Sequence, residues 1–219
     1  MKIKLAVVML GLTGAFGFGL APVAQASPIV LNSGNCSTCD GSIYSISLVQ
    51  NSLNDYTLTV SVNMLSFGNG PAYLDAIAPK IPSVTATTLL SAPGGLSEWT
   101  PITNSSPSDG INAGGCDDHG TGFFCEQTSD QGTFNATGSS GVVSFVWDLT
   151  GPIGSGPVSA SLKAQYENSG GVKVGSLLSD DFSLPVTPNT VPEPASLALL
   201  GTGLLGLGVA LKRKLLVLG

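Results

Sequence analysis

The stretch YTLTVSV, residues 56–62, puts Tyr56, Leu58, Val60 and Val62 on one side of an extended chain and Thr57, Thr59 and Ser61 on the other. A period of two with a single apolar face belongs to a strand buried on one side. Two further stretches repeat the pattern. Val143, Phe145, Trp147 and Leu149 alternate with Ser144 and Asp148, with Val146 ambiguous; Val158, Ala160, Leu162, Ala164 and Tyr166 alternate with Ser159, Ser161, Lys163, Gln165 and Glu167. Weaker strand patterns occur at 43–49, 84–90, 132–136 and 181–186.

Turn chemistry separates these runs: Asn51 to Asp55, Gly68-Asn69-Gly70-Pro71, Gly94-Gly95, Gly138 to Gly141, Gly151 to Pro157, and Asn168 to Gly171. The body shows no sustained helical period; Tyr73 to Ala78 is expected to form one helical turn before Pro79. About seven short strands with Gly-rich turns predict an all-β body, an antiparallel β-sandwich, with Trp147 and Tyr166 in its core. Ser183 to Thr190, carrying Pro185 and Pro188, is expected to be an extended linker.

Working outward from the body, both ends of the chain read as targeting segments. Lys2 and Lys4 precede an apolar run from Leu5 to Leu20, and Ala24-Gln25-Ala26 offers small residues at both positions a signal peptidase reads. Residues 1–26 are therefore expected to be a signal peptide cut after Ala26. At the other end, Ala195 to Leu211 is a stretch of 17 residues without a charge. At ~1.5 Å per residue a helix of that length spans about 25 Å, the short end of what a bilayer needs. Lys212, Arg213 and Lys214 follow at once and would stay on the cytoplasmic side. Pro192 and Pro194 favour an extended backbone just before the helix. The expected organisation is a body over 27–182, a linker over 183–190, and a tail over 191–219 with a transmembrane helix at 195–211.

Val191-Pro192-Glu193-Pro194, an apolar helix and the basic Lys212-Arg213-Lys214 together resemble the PEP-CTERM protein-sorting domain of Gram-negative bacteria. The resemblance implies recognition by an exosortase, a membrane-embedded cysteine transpeptidase-like enzyme. That enzyme would act near Pro192-Glu193-Pro194 and release or transfer the body to the cell surface. Export across the inner membrane, a transient membrane anchor and a final place at the surface or outside the cell follow as expectations. The segments 114–125, 145–148 and 162–166 are similar to exported β-rich domains often attached to such tails, a similarity that bears on fold rather than activity.

Charge narrows the partners. Residues 27–190 hold ten Asp, three Glu, three Lys and no Arg, a net −10 against −6 for the whole chain. An acidic surface without arginine repels phosphate backbones, so no nucleic-acid partner is expected. Acidity of this kind keeps an exported domain soluble and attracts cations.

Four cysteines, Cys36, Cys39, Cys116 and Cys125, lie in the exported body, where an oxidising compartment favours disulfides. Three connectivities are possible; local pairs, Cys36–Cys39 and Cys116–Cys125, are favoured because each closes a short polar loop. Cys36-x2-Cys39 with Cys116-x2-His119 also has the spacing of a four-ligand zinc site, but that would strand Cys125. Acidic loops at Asp109, Asp117 and Asp118, or at Asp180 and Asp181, offer hard oxygen donors to calcium, without a D-x-D-x-D-G spacing. His119 is the sole histidine and no G-x-S-x-G turn is present, so no catalytic set is legible. The sequence predicts an exported, non-enzymatic surface or extracellular-matrix protein without a cofactor. The alternative is a carbohydrate- or calcium-binding module working in exopolysaccharide.

Overall fold

A computed structural model describes residues 27–34, 36, 38–68, 72–101, 110–112, 115–117, 122–128 and 141–189. These residues belong to one compact unit. They are almost entirely β-structure, with a single 3-10 turn at Leu96–Glu98 among them.

The first sheet is built on the two strongest periodic stretches. Strand β1 (Ile29–Leu31) pairs with β2 (Ile43–Ser52), and β2 with β3 (Asp55–Asn63) through a tight turn at Leu53 and Asn54. Strand β3 alternates half-buried and buried residues along its whole length, as Tyr56, Leu58, Val60 and Val62 turn inward. The Tyr56 hydroxyl accepts from the Gly154 N–H at 3.0 Å and lies 3.1 Å from the Leu53 carbonyl, fixing that end of the sheet.

The second sheet comes from the middle of the chain. It is seeded by β4 (Tyr73–Lys80), while β5 (Ala86–Ser91) returns to the first sheet. Short strands follow: β6 (Trp99–Pro101), β7 (Gly110–Asn112), β8 (Gly115–Asp117) and β9 (Glu126–Thr128). The long strands β10 (Val142–Thr150) and β11 (Val158–Glu167) then complete the two sheet centres, followed by β12 (Lys173–Leu178), β13 (Phe182–Leu184) and β14 (Val186–Pro188).

The first sheet runs β1-β2-β3-β10-β5, with β14 also on β2; the second runs β12-β11-β4-β9-β6, with β13 also on β11. Their inner faces interleave over one core that contains Trp147 and Tyr166, as expected. Phe145 and Trp147 stack at 5.5 Å, and the rings of Trp99 and Phe124 meet them edge-on at 4.7 and 5.9 Å. Aromatic contacts of this geometry add about 0.5–1.5 kcal/mol each beyond their buried area.

Two expectations are corrected. Tyr73 to Ala78 is not a helical turn but most of β4, a central strand between β11 and β9. Its residues from Leu74 to Pro79 are buried on both faces, so it shows no alternation to read. Of the expected linker over 183–190, the described residues 183–189 are not free either. Leu184 is buried in the second sheet beside Val158, and Val186 is buried in the first beside Leu48. Pro185 is the crossing between the sheets, and β14 adds a parallel pair to an otherwise antiparallel fold. Both strands lie at positions where a proline costs no central ladder bond. The expected strand at 132–136, the signal peptide and the helix at 195–211 lie outside the described residues. Among the described residues no helix is long and apolar enough to cross a membrane.

Candidate functional site

The outer face of the second sheet is roofed. Hairpin β7–β8 lies against β4, and β7 reaches β11. Beneath it Ala76, Ala78, Phe123 and Cys125 form a small second core, with Ile111 and Cys116 packed on it. Cys116 and Cys125 form a disulfide with a Cα–Cα distance of 5.8 Å, which ties the hairpin to the segment leading into β9. Gly115 has φ 102°, a left-handed backbone that suits glycine, and a Cβ there would collide with the Gln127 side chain. The roof thus sits directly on the sheet.

Polar groups share this covered layer. On β11, Ala164 and Tyr166 face the main core, so Gln165 and Glu167 face the roof. On β4 the register against β11 slips between Gln165 and Tyr166, which makes Asp75 the extra residue of a bulge. A bulge re-aims a side chain, and here it sends Asp75 outward beside Gln165. Asp75 is 1% exposed and Glu167 5%.

Asp75 Oδ2 accepts from Gln127 Nε2 at 3.0 Å and from Gln165 Nε2 at 3.5 Å. The same Gln165 amide donates to Glu167 Oε1 at 3.3 Å. Gln127 Oε1 accepts from the Cys116 backbone N–H at 3.2 Å, which links the layer to the roof. Asp75 Oδ1 and Glu167 Oε2 are buried with no hydrogen-bond partner. Burial, then the neighbouring Glu167 charge, raises the Asp75 carboxyl from 3.8 to about 6, against a smaller opposing hydrogen bond from Gln127.

The body's scarce bases are placed elsewhere. Lys163 Nζ lies 4.4 Å and Lys80 Nζ 5.3 Å from the centre of the Phe123 ring, in cation–π contact. Glu126, next along β9, turns the other way and accepts from Trp147 Nε1 at 3.3 Å.

The residues singled out in the sequence fare differently. Both local cysteine pairs are disulfides, Cys36–Cys39 with a Cα–Cα distance of 6.0 Å, and no described cysteine is free. That removes Cys36, Cys39 and Cys116 as zinc ligands. Asp180 and Asp181 are exposed, and Asp117 accepts from Asn112 Nδ2 at 2.6 Å across the hairpin. Among the described residues no group of three or more His, Cys, Asp or Glu is placed to hold a metal. Asp109, Asp118, His119, the cleavage residues Ala24 and Ala26, the motif Val191, Pro192, Glu193 and Pro194, and Lys212, Arg213 and Lys214 lie outside the described residues.

The Asp75–Glu167 pair has little signature in the sequence. By alternation alone Gln165 and Glu167 belong to the wet side of a half-buried strand. The available signal was Asp75 itself, a carboxylate inside the apolar run Ala72 to Ala78.

Compared with known proteins, residues 190–214 match the PEP-CTERM protein-sorting motif. The motif marks an exported chain that is transiently anchored in a membrane and sorted by an exosortase-type enzyme. No curated protein matches the chain. Among solved structures, the GAE domain of yeast GGA1 is similar at 16% identity and a TM-score of 0.31, over 72% of this chain and 98% of that one. The N-terminal periplasmic domain of ScsB from Proteus mirabilis is similar at 12% identity and a TM-score of 0.30, over 80% of this chain and 57% of that one.

Proposed function

We propose that this chain is a non-enzymatic surface or extracellular-matrix protein, delivered through its sorting motif and cut near Pro192-Glu193-Pro194. The observation that carries the reading is the match at 190–214. Two disulfides in a small β-body fit an exported protein, since such bonds persist in oxidising compartments. The acidic, arginine-free body suits a soluble extracellular life.

Two variants in a host with the sorting enzyme test the reading. Glu193→Ala leaves the apolar stretch and basic stop intact, so the chain should stay uncut and membrane-bound. Deleting residues 195–219 should release the body unsorted, with no membrane stage. A simple anchor predicts a silent Glu193→Ala, because one glutamate outside the apolar stretch adds little to insertion.

A further inference from the structure

We propose that Asp75 and Glu167 form a binding site for one calcium ion, enclosed between the second sheet and the β7–β8 roof. Two carboxylates here are almost fully buried, and neither meets a base among the described residues. A buried carboxylate is costly unless it is paired, coordinated or neutralised. The compensation on hand is incomplete. Asp75 Oδ2 has one ordinary bond, from Gln127 at 3.0 Å; beyond it one neutral amide, Gln165, is shared between both acids at 3.5 and 3.3 Å, long against the usual 2.9–3.0 Å. Each acid keeps one buried oxygen with no partner at all, Asp75 Oδ1 and Glu167 Oε2. These two oxygens are the observation that separates this pair from an ordinary acidic cluster. Through their other oxygens, Asp75 Oδ2 and Glu167 Oε1, both carboxylates meet the same Gln165 amide.

The donor chemistry selects the ion. Carboxylate and amide oxygens are hard ligands, with no thiolate or imidazole among them, which suits calcium or magnesium rather than zinc or copper. Calcium accepts irregular, mixed geometry, whereas magnesium demands a near-ideal octahedron that it fills largely with water. A roofed site on a bulged strand fits the first. Turning the Gln165 amide over would exchange its N–H2 for a carbonyl oxygen facing both acids, a third ligand without backbone movement. Gln127 stays as the positioning residue, holding Asp75 from one side and the hairpin N–H from the other. An exported protein meets calcium at concentrations that match modest sites, with Kd of about 10⁻⁴–10⁻³ M in extracellular modules.

The test uses the full chain, purified in detergent, stripped with EGTA and titrated with calcium chloride alone. The site predicts one calcium per chain by calorimetry and a Tm rise of roughly 5 °C at 10 mM calcium. Asp75→Asn and Glu167→Gln should each abolish both signals, while Asp181→Asn, on the exposed surface, should keep them. Wild-type protein whose Tm and calorimetric trace are indifferent to 10 mM calcium would overturn the site, whatever the variants do. Calcium binding that survives in both Asp75→Asn and Glu167→Gln would overturn it equally, by placing the ion elsewhere. Processing at the sorting motif is not a readout here, so failure of this site leaves the sorting proposal untouched.

Discussion

The two outward faces of the sandwich are written with the same period and end in opposite environments. On the first sheet, Ser45 and Ser47 of β2 and Thr57, Thr59 and Ser61 of β3 are half-buried at the surface, and Ser144 of β10 is exposed. Their contacts are local and inexpensive, such as Ser61 Oγ to Ser144 Oγ at 3.1 Å. On the second sheet, Asp75, Ala76 and Ala78 of β4 and Gln165 and Glu167 of β11 are all buried under the hairpin. Alternation reports that a strand has two different faces. It does not report whether water reaches the second one. A polar residue is routine on the first sheet's outer face, and on the second it is a buried group that must find a partner.

The largest expected effect breaks this contrast if it fails. Ala76→Asp places a new carboxylate in the sealed layer, between Gln165 and Gln127 and next to Asp75, where no base stands opposite it. It should cost more than about 4 kcal/mol, enough to unfold most of the protein. Ser47→Asp, at the half-buried outer surface of β2, should stay within about 0.5 kcal/mol. Urea denaturation of the two variants measures the difference directly. Equal costs would mean that the hairpin does not seal the second face.

A smaller effect sharpens the contrast. In calcium-free buffer the folded state holds the Asp75 proton more tightly than the unfolded chain does, with the carboxyl raised from 3.8 to about 6. The protonated form therefore favours folding. Stability is highest with respect to this group below pH ~4, falls as pH rises toward ~6, and is flat beyond that. Asp75→Asn removes the slope, and at pH 7.5 it should stabilise the calcium-free protein by at most about 2 kcal/mol. Melting curves in EGTA from pH 4 to 8 check both the slope and its loss. A variant that is less stable than wild type at pH 7.5 under these conditions would show that the ionised acid is already well compensated.

Legibility followed the same divide. Strands β3, β10 and β11 are readable because each presents at least four apolar residues in alternation toward one core. Strand β4 was not, because burial on both faces erases the period, and Pro79 then read as a helix stop. The three-residue strands β1, β6, β7, β8 and β9 are too short for any period to emerge. Pro185 and Pro188 read as a linker, although Leu184 and Val186 sit in opposite sheets on either side of a proline crossing. The disulfides were legible because compartment and loop length constrain them. The acid pair was not, since it depends on a bulge and a roof that bring Asp75 to Glu167 across 92 positions of sequence.

The sorting account rests on a local signal, and one measurement addresses it most directly: the intact mass of the protein recovered from a host that carries the sorting enzyme. The account predicts a chain that begins after Ala26, ends near Pro192-Glu193-Pro194, lacks Lys212, Arg213 and Lys214, and carries both disulfides. A mature protein that still bears the basic cluster in that host would contradict it.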